Sequence, residues 1–186
     1  MAQYAAEKII QLGAKVLTMS DSSGFIHDPE GINEEKLAFI MQLKNVNRQR
    51  IDKYVVQYPK ASFYKGKKPW SVSCDIAMPC ATQNELDSVD AKTLITNGCF
   101  CVSEGANMPS TPEAILNFHN YNVLYAPGKA SNAGGVATSG LEMSQNSMRM
   151  NWTRDEVDEK LDAIMVSIHE TCARTAEEYG FPGNYM

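Results

Sequence analysis

The chain has 186 residues, 44% of them hydrophobic and 21% charged, with a formal net charge of −5. That supplies enough apolar material for a real core, and the acidic balance argues against general nucleic-acid binding, which needs a concentrated positive field. No apolar run approaches the roughly 20 residues of a membrane-spanning helix, so neither nucleic acid nor membrane is an expected partner.

Residues 2–12 have helical apolar spacing, with Ala2, Ala5, Ala6, Ile9 and Ile10 on one side and Gly13 as a stop. Residues 14–20 then predict a short buried strand that ends in polar Ser20-Asp21-Ser22-Ser23-Gly24. A helix, a glycine and a strand in this order make the second half of a βαβ unit. Asp28-Pro29-Glu30-Gly31 predicts a turn, and Asn33 caps a helix running to about Lys44. A basic stretch with Lys44, Arg48, Arg50 and Lys53 follows, then a second helix over residues 50–58 and a short edge strand over 61–64.

Residues 74–79 predict a strand that must end near Pro79. A helix over 87–95, a strand over 99–103, a helix over 112–120 and a strand over 123–127 complete an alternating rhythm. That rhythm predicts an α/β fold, Rossmann-like, with a mostly parallel sheet and flanking helices. Residues 135–148 extend it with a helix. The capping box Thr153-Arg154-Asp155-Glu156 opens a long C-terminal helix, placed over 152–180 in a single domain of residues 1–186.

In a parallel α/β sheet, ligands gather beyond the carboxyl ends of the strands. Four segments occupy such positions. Asp21 can accept bonds from a ribose hydroxyl, or can simply sit in a polar turn. Pro79-Cys80-Ala81-Thr82-Gln83-Asn84-Glu85 offers hydroxyl and amide groups to a ribose, or caps a helix. In Glu104-Gly105-Ala106-Asn107-Met108-Pro109 the small residues let a ligand approach, and Asn107 supplies a donor and an acceptor. The same glutamate and asparagine can instead tie a loop together. The stretch from Pro127 to Gly140 is dominated by small residues before a helix, where bare amides attract anions, or where the helix simply packs closely against the sheet.

The five cysteines, Cys74, Cys80, Cys99, Cys101 and Cys172, lack zinc-ligand spacing. They read as reduced thiols of a cytoplasmic protein, and Met1-Ala2-Gln3-Tyr4 has no secretory character. His27, His119 and His169 have no nucleophile at a recognisable spacing.

Four strings resemble the hexameric glutamate dehydrogenases of the Glu/Leu/Phe/Val dehydrogenase family. They are Pro79-Cys80-Ala81-Thr82-Gln83-Asn84-Glu85-Leu86, Glu104-Gly105-Ala106-Asn107-Met108-Pro109, the run from Ala126 to Val136, and Ser139-Gly140-Leu141-Glu142-Met143-Ser144-Gln145-Asn146. The resemblance extends along essentially the whole chain. It implies the coenzyme-binding part of an enzyme that converts L-glutamate to 2-oxoglutarate and ammonia with NAD(P). The family's catalytic lysine and aspartate belong to another domain and have no counterpart here, so the isolated chain is expected to be inactive.

The resemblance sets Ala81, Thr82 and Gln83 by the nicotinamide ribose and Asn107 at the nicotinamide end. It sets Asn132, Val136 and Ser139 on the substrate side, with Ser139 at the distal carboxylate of glutamate. Asp21 alone suggests NAD. Ser20-Asp21-Ser22, however, resembles the turn of NADP-dependent bacterial members, and Lys44 and Arg50 resemble basic positions near the 2′-phosphate, so NADP is expected ahead of NAD. A branched-chain or aromatic amino-acid dehydrogenase, or a non-catalytic binding module, remains open. The parent is expected to be a homohexamer, a state not carried over to this chain.

The family's glycine-rich phosphate turn and the strand before it should precede Ala2. That strand occupies the centre of a 3-2-1-4-5-6 sheet. A rearranged sheet closed by direct pairing of its neighbours, a sheet completed by another molecule, or poor stability is therefore expected.

Overall fold

The computed structural model describes residues 1–185. Helix α1 (Ala2–Gln11) ends at Leu12, and Gly13 takes a left-handed φ of 82° to turn the chain into strand β1 (Val16–Asp21). Ser22 and Ser23 then form a tight hairpin into β2 (Gly24–Ile32), with Asp21 opposite Gly24. Gly24 is required there: a Cβ would lie 2.2 Å from the Tyr64 carbonyl oxygen.

Strand β2 corrects the expected turn at Asp28-Pro29-Glu30-Gly31. The ladder runs through it, but the register jumps from Val16 opposite Ile32 to Thr18 opposite His27. Two steps along β1 thus answer five along β2, and a proline without an N–H is tolerated in such a bulge. The turn chemistry survives locally, because the Asp28 carboxylate accepts from the Glu30 N–H at 3.0 Å. The segment is anchored by burial. Asp28 is 1% exposed and also accepts from Lys36 Nζ at 2.8 Å and from the Tyr54 hydroxyl at 2.7 Å.

Asn33 caps α2 (Glu34–Met41), which passes into a π-helical turn over Gln42–Val46. After a 3-10 turn over Ile51–Lys53, the short α3 (Tyr54–Gln57) leads to β3 (Ser62–Lys65). Strand β3 is the expected edge strand and pairs antiparallel with β2, stacking Tyr64 on Phe25 at 4.7 Å. Ile26, Ile40, Ile51 and Tyr54 form the centre of the core beneath this sheet.

The second half is the parallel α/β unit. Strands β4 (Ile76–Ala77), β5 (Cys101–Ser103) and β6 (Leu124–Ala126) pair in that order, all parallel. The helices between them are α4 (Ser88–Thr96), with an Asp87 capping box, and α5 (Pro112–Asn120), capped by Thr111 with Pro112 in its first turn. They cover a second core built on Leu86, Leu94, Val102, Phe118 and Tyr125. The chain continues through α6 (Gly128–Ser131) and α7 (Gly134–Met148) to α8 (Arg154–Glu178), whose Thr153–Glu156 capping box is present as expected. Past α8 the chain returns to the sheet, where Tyr185 N–H donates to the Tyr125 carbonyl at 3.2 Å.

Strands β1 and β4 lie at the edges of two separate three-stranded sheets. The α/β character is as expected, but the first sheet is antiparallel, and the expected direct pairing across the gap does not occur. No helix among the described residues is long and apolar enough to cross a membrane.

Candidate nucleotide and substrate cleft

Two groups of side chains occupy the strand ends. The first is charged and surrounds Asp21. One carboxylate oxygen accepts from the Ser23 N–H at 2.8 Å and the Ser23 hydroxyl at 2.6 Å. The other accepts from Lys44 Nζ at 2.5 Å and the Ile51 N–H at 3.0 Å. Burial acts to raise the Asp21 pKa, but these bonds outweigh it and hold the carboxyl at about 2. Arg50 donates from its guanidinium to the Ser22 hydroxyl. The π-helical turn sets Lys44 facing β1, and the extended residue Arg50 leads into the turn that presents the Ile51 amide.

The fold therefore brings Asp21, Ser22, Lys44 and Arg50 together. Ser23 and the Ile51 amide were not foreseen. An aspartate followed two residues later by serine is the signal that could have found the first. No local pattern marks the second.

The second group lies at the carboxyl ends of β4, β5 and β6. The loop after β4 is zipped to the loop after β5: Asn84 N–H donates to the Met108 carbonyl at 3.0 Å, and Gly105 N–H donates to the Pro79 carbonyl at 2.9 Å. Ala81, Thr82 and Gln83 lie exposed on the first loop. Ala81 N–H donates to Glu85 at 2.8 Å. Burial pushes the Glu85 carboxyl up, against the pull of the Ala81 and Thr82 amides. Asn132 Nδ2 donates to the Asn107 side-chain oxygen at 2.8 Å and to the Ala106 carbonyl at 3.2 Å, so these two predicted residues meet.

Beneath them lies Glu104, 3% exposed. Its carboxyl accepts from Gly128 N–H at 2.9 Å and Ser110 N–H at 3.3 Å, and its carbonyl accepts from the Ser131 hydroxyl at 2.5 Å. Burial and a bond to Glu104 push the Tyr125 hydroxyl far up, which keeps it a donor. Glu104 thus ties together the loop carrying Asn107 and the helix start carrying Asn132. Close packing demands glycine twice: a Cβ on Gly128 would lie 2.6 Å from the Ala106 carbonyl oxygen, and one on Gly105 would lie 2.4 Å from Cys80 Sγ.

Val136 and Ser139 stand three residues apart on α7, hence on one face. Both are exposed, Val136 at 79%, and the Ser139 hydroxyl bonds back to the Gly135 carbonyl at 3.2 Å. They are not bonded into the Asn107–Asn132 pair. An open cavity of about 430 Å³ lined by residues including Ile10, Lys15, Gly31 and Lys36 shares none of the predicted site residues. Among the described residues no group of three or more His, Cys, Asp or Glu side chains could hold a metal ion.

A parallel α/β unit with polar, small-residue loops at its strand ends defines a Rossmann-like protein. The sequence model of the Glutamate/Leucine/Phenylalanine/Valine dehydrogenase family matches residues 1–186, and the chain belongs to that family. It is 59% identical over 186 residues to the NAD(P)-specific glutamate dehydrogenase of Xylanibacter ruminicola, covering 100% of this chain and 41% of that protein. It is 56% identical over 189 residues to the NADP-specific glutamate dehydrogenase of Giardia intestinalis, covering 100% of this chain and 42% of that protein. Other relatives carry NADP-specific and NAD-specific names. The solved structure of Plasmodium falciparum glutamate dehydrogenase 2 superposes with a TM-score of 0.93 at 49% identity, covering 99% of this chain and 40% of that one. The chain thus spans about two-fifths of the length of these relatives.

Proposed function

We propose that this chain is the coenzyme-binding part, a single incomplete dinucleotide-binding domain, of an NADP-dependent glutamate dehydrogenase. The enzyme would catalyse the conversion of L-glutamate, NADP+ and water to 2-oxoglutarate, ammonia and NADPH. The observation that carries the cofactor reading is the convergence of Lys44, Arg50 and Ser22 around Asp21 at the end of β1. A carboxylate there would repel a 2′-phosphate, but Asp21 is already neutralised by Lys44. Arg50, exposed and bonded to a neutral hydroxyl, adds a second cation, so the group as a whole suits an anion.

NADP supplies a nicotinamide ring that accepts a hydride from the substrate α-carbon. The chain's own residues bind and orient. Lys44, Arg50 and Ser22 would hold the 2′-phosphate. Ala81, Thr82 and Gln83 would line the nicotinamide ribose, and Asn107, oriented by its bond from Asn132, would hold the carboxamide end. Asn132, Val136 and Ser139 would face the substrate, with the Ser139 hydroxyl available to its distal carboxylate. By family likeness, the parent enzyme is read as a cytoplasmic homohexamer.

Fluorescence titration of the purified chain with NADPH and then NADH tests the reading. Tighter binding of NADPH supports it. Preference for NADH overturns the cofactor choice, and binding of neither overturns the coenzyme site for this chain.

A further inference from the structure

The cysteines left out of the cleft are not scattered. Strand β4 pairs with β5 with Ile76 opposite Cys101 and Ala77 opposite Val102. The Asp75 carbonyl extends this pairing by accepting from Phe100 N–H at 3.0 Å and Cys101 N–H at 3.3 Å. Cys74 and Cys99 each lie one residue before this hydrogen-bonded junction, and Cys74 packs against the core cluster that contains Cys99.

Neighbouring strands lie about 4.8 Å apart, inside the Cα separation of roughly 4.4–6.8 Å that a disulfide spans. The two thiols are in hydrogen-bond contact, and Cys99 Sγ also donates to the Cys101 carbonyl at 3.2 Å. That contact holds the Cys99 thiol below its ordinary pKa, while the same bond together with burial pushes Cys74 up, so the first thiolate of the pair forms on Cys99. Cys101 is the rival partner, but on the diagonal it lies about 8 Å from Cys74, beyond bridging range.

We propose that Cys74 and Cys99 form a reversible intramolecular disulfide, with a low-molecular-weight disulfide as oxidant. Cys99 is buried in the core of the parallel unit, whereas Cys74 is only half-buried at its edge, so Cys74 is the point of entry. Its sulfur attacks one sulfur of the oxidant as its proton passes to Cys99. A mixed disulfide forms and a small thiolate leaves. Cys99 then attacks the Cys74 sulfur and gives its proton to the second departing thiolate. Two protein thiols are oxidised, and one small disulfide is reduced to two thiols. The bond closes the loop around α4 at the amino end of the sheet, opposite the end that carries Thr82, Asn107 and Asn132, so coenzyme binding should persist in the oxidised form.

The test is incubation of the folded chain with glutathione disulfide, followed by intact mass measurement, non-reducing peptide mapping and thermal denaturation. The expected product has lost two hydrogens, joins the peptides of Cys74 and Cys99, melts at a higher temperature and reverts with dithiothreitol. Cys101→Ser should retain the link, and Cys74→Ser should abolish it. Because a substitution at buried Cys99 can unfold the chain, the pairing is read on the unaltered protein and on Cys101→Ser. A glutathione adduct that persists on Cys74, a link to any other cysteine, or five unreacted thiols would overturn the proposal.

Discussion

The two sheets end in loops built on opposite principles. At the end of β1 a carboxylate is held by a lysine ammonium, a hydroxyl and two amides, with a further guanidinium beside it. At the ends of β5 and β6 a carboxyl group is buried with no ion pair among the described residues and receives backbone N–H groups and a tyrosine hydroxyl. The difference separates two jobs. Charges near the surface can be shared with an incoming anion, because Lys44 and Arg50 keep free donor capacity. Glu104 has no such freedom, since its partners are the backbone of the loops themselves. On the proposed reading, one carboxyl belongs to recognition and the other to scaffold.

This contrast can be broken by substitution. Glu104→Ala should have the largest effect, since it orphans the Gly128 and Ser110 amides inside the core. A loss of about 4 kcal/mol is expected in chemical denaturation. Glu104→Gln keeps one acceptor oxygen and should recover part of it. If Glu104→Ala were as stable as the parent, the scaffold role would be wrong.

Gly128→Ala probes the same joint by overpacking against the Ala106 carbonyl, and about 2 to 3 kcal/mol should be lost. The measurement is again the unfolding midpoint, and an unchanged midpoint would mean the loops are free to separate.

The charged end sharpens the contrast through pH. Asp21 has a folded pKa of about 2 against an ordinary value of 3.8. Its contribution is therefore fully present above about pH 4 and is lost as the pH falls towards 2. The linked stability is about 2 kcal/mol. Unfolding curves between these limits should show that slope in the parent and a flatter one in Asp21→Asn.

The two halves also differ in how far the sequence reveals them. The parallel unit is legible because its signals are local: short apolar runs at β4, β5 and β6, Pro112 in the first turn of α5, and small residues after β5 and β6. The antiparallel half is legible only in part. Asp28, Pro29 and Gly31 are turn residues by type, and nothing nearby states that Lys36 and Tyr54 will bury Asp28 and pull the segment into a strand. The Asp21 cluster follows the same division. Its members can be chosen by chemistry, but the reach of Lys44 back to β1 depends on a π-helical turn that no periodicity announces. Glu104 can be seen as a loop tie, but its burial cannot be read from its neighbours.

The most direct test of the account is calorimetric titration of the chain with adenosine 2′,5′-bisphosphate and with adenosine 5′-monophosphate, which differ only in the 2′-phosphate. The account predicts tighter binding of the bisphosphate by about tenfold, on the order of 1.4 kcal/mol, with the preference lost in the Lys44→Ala, Arg50→Ala double variant. Equal affinity for the two, or a preference that survives the double substitution, would contradict it.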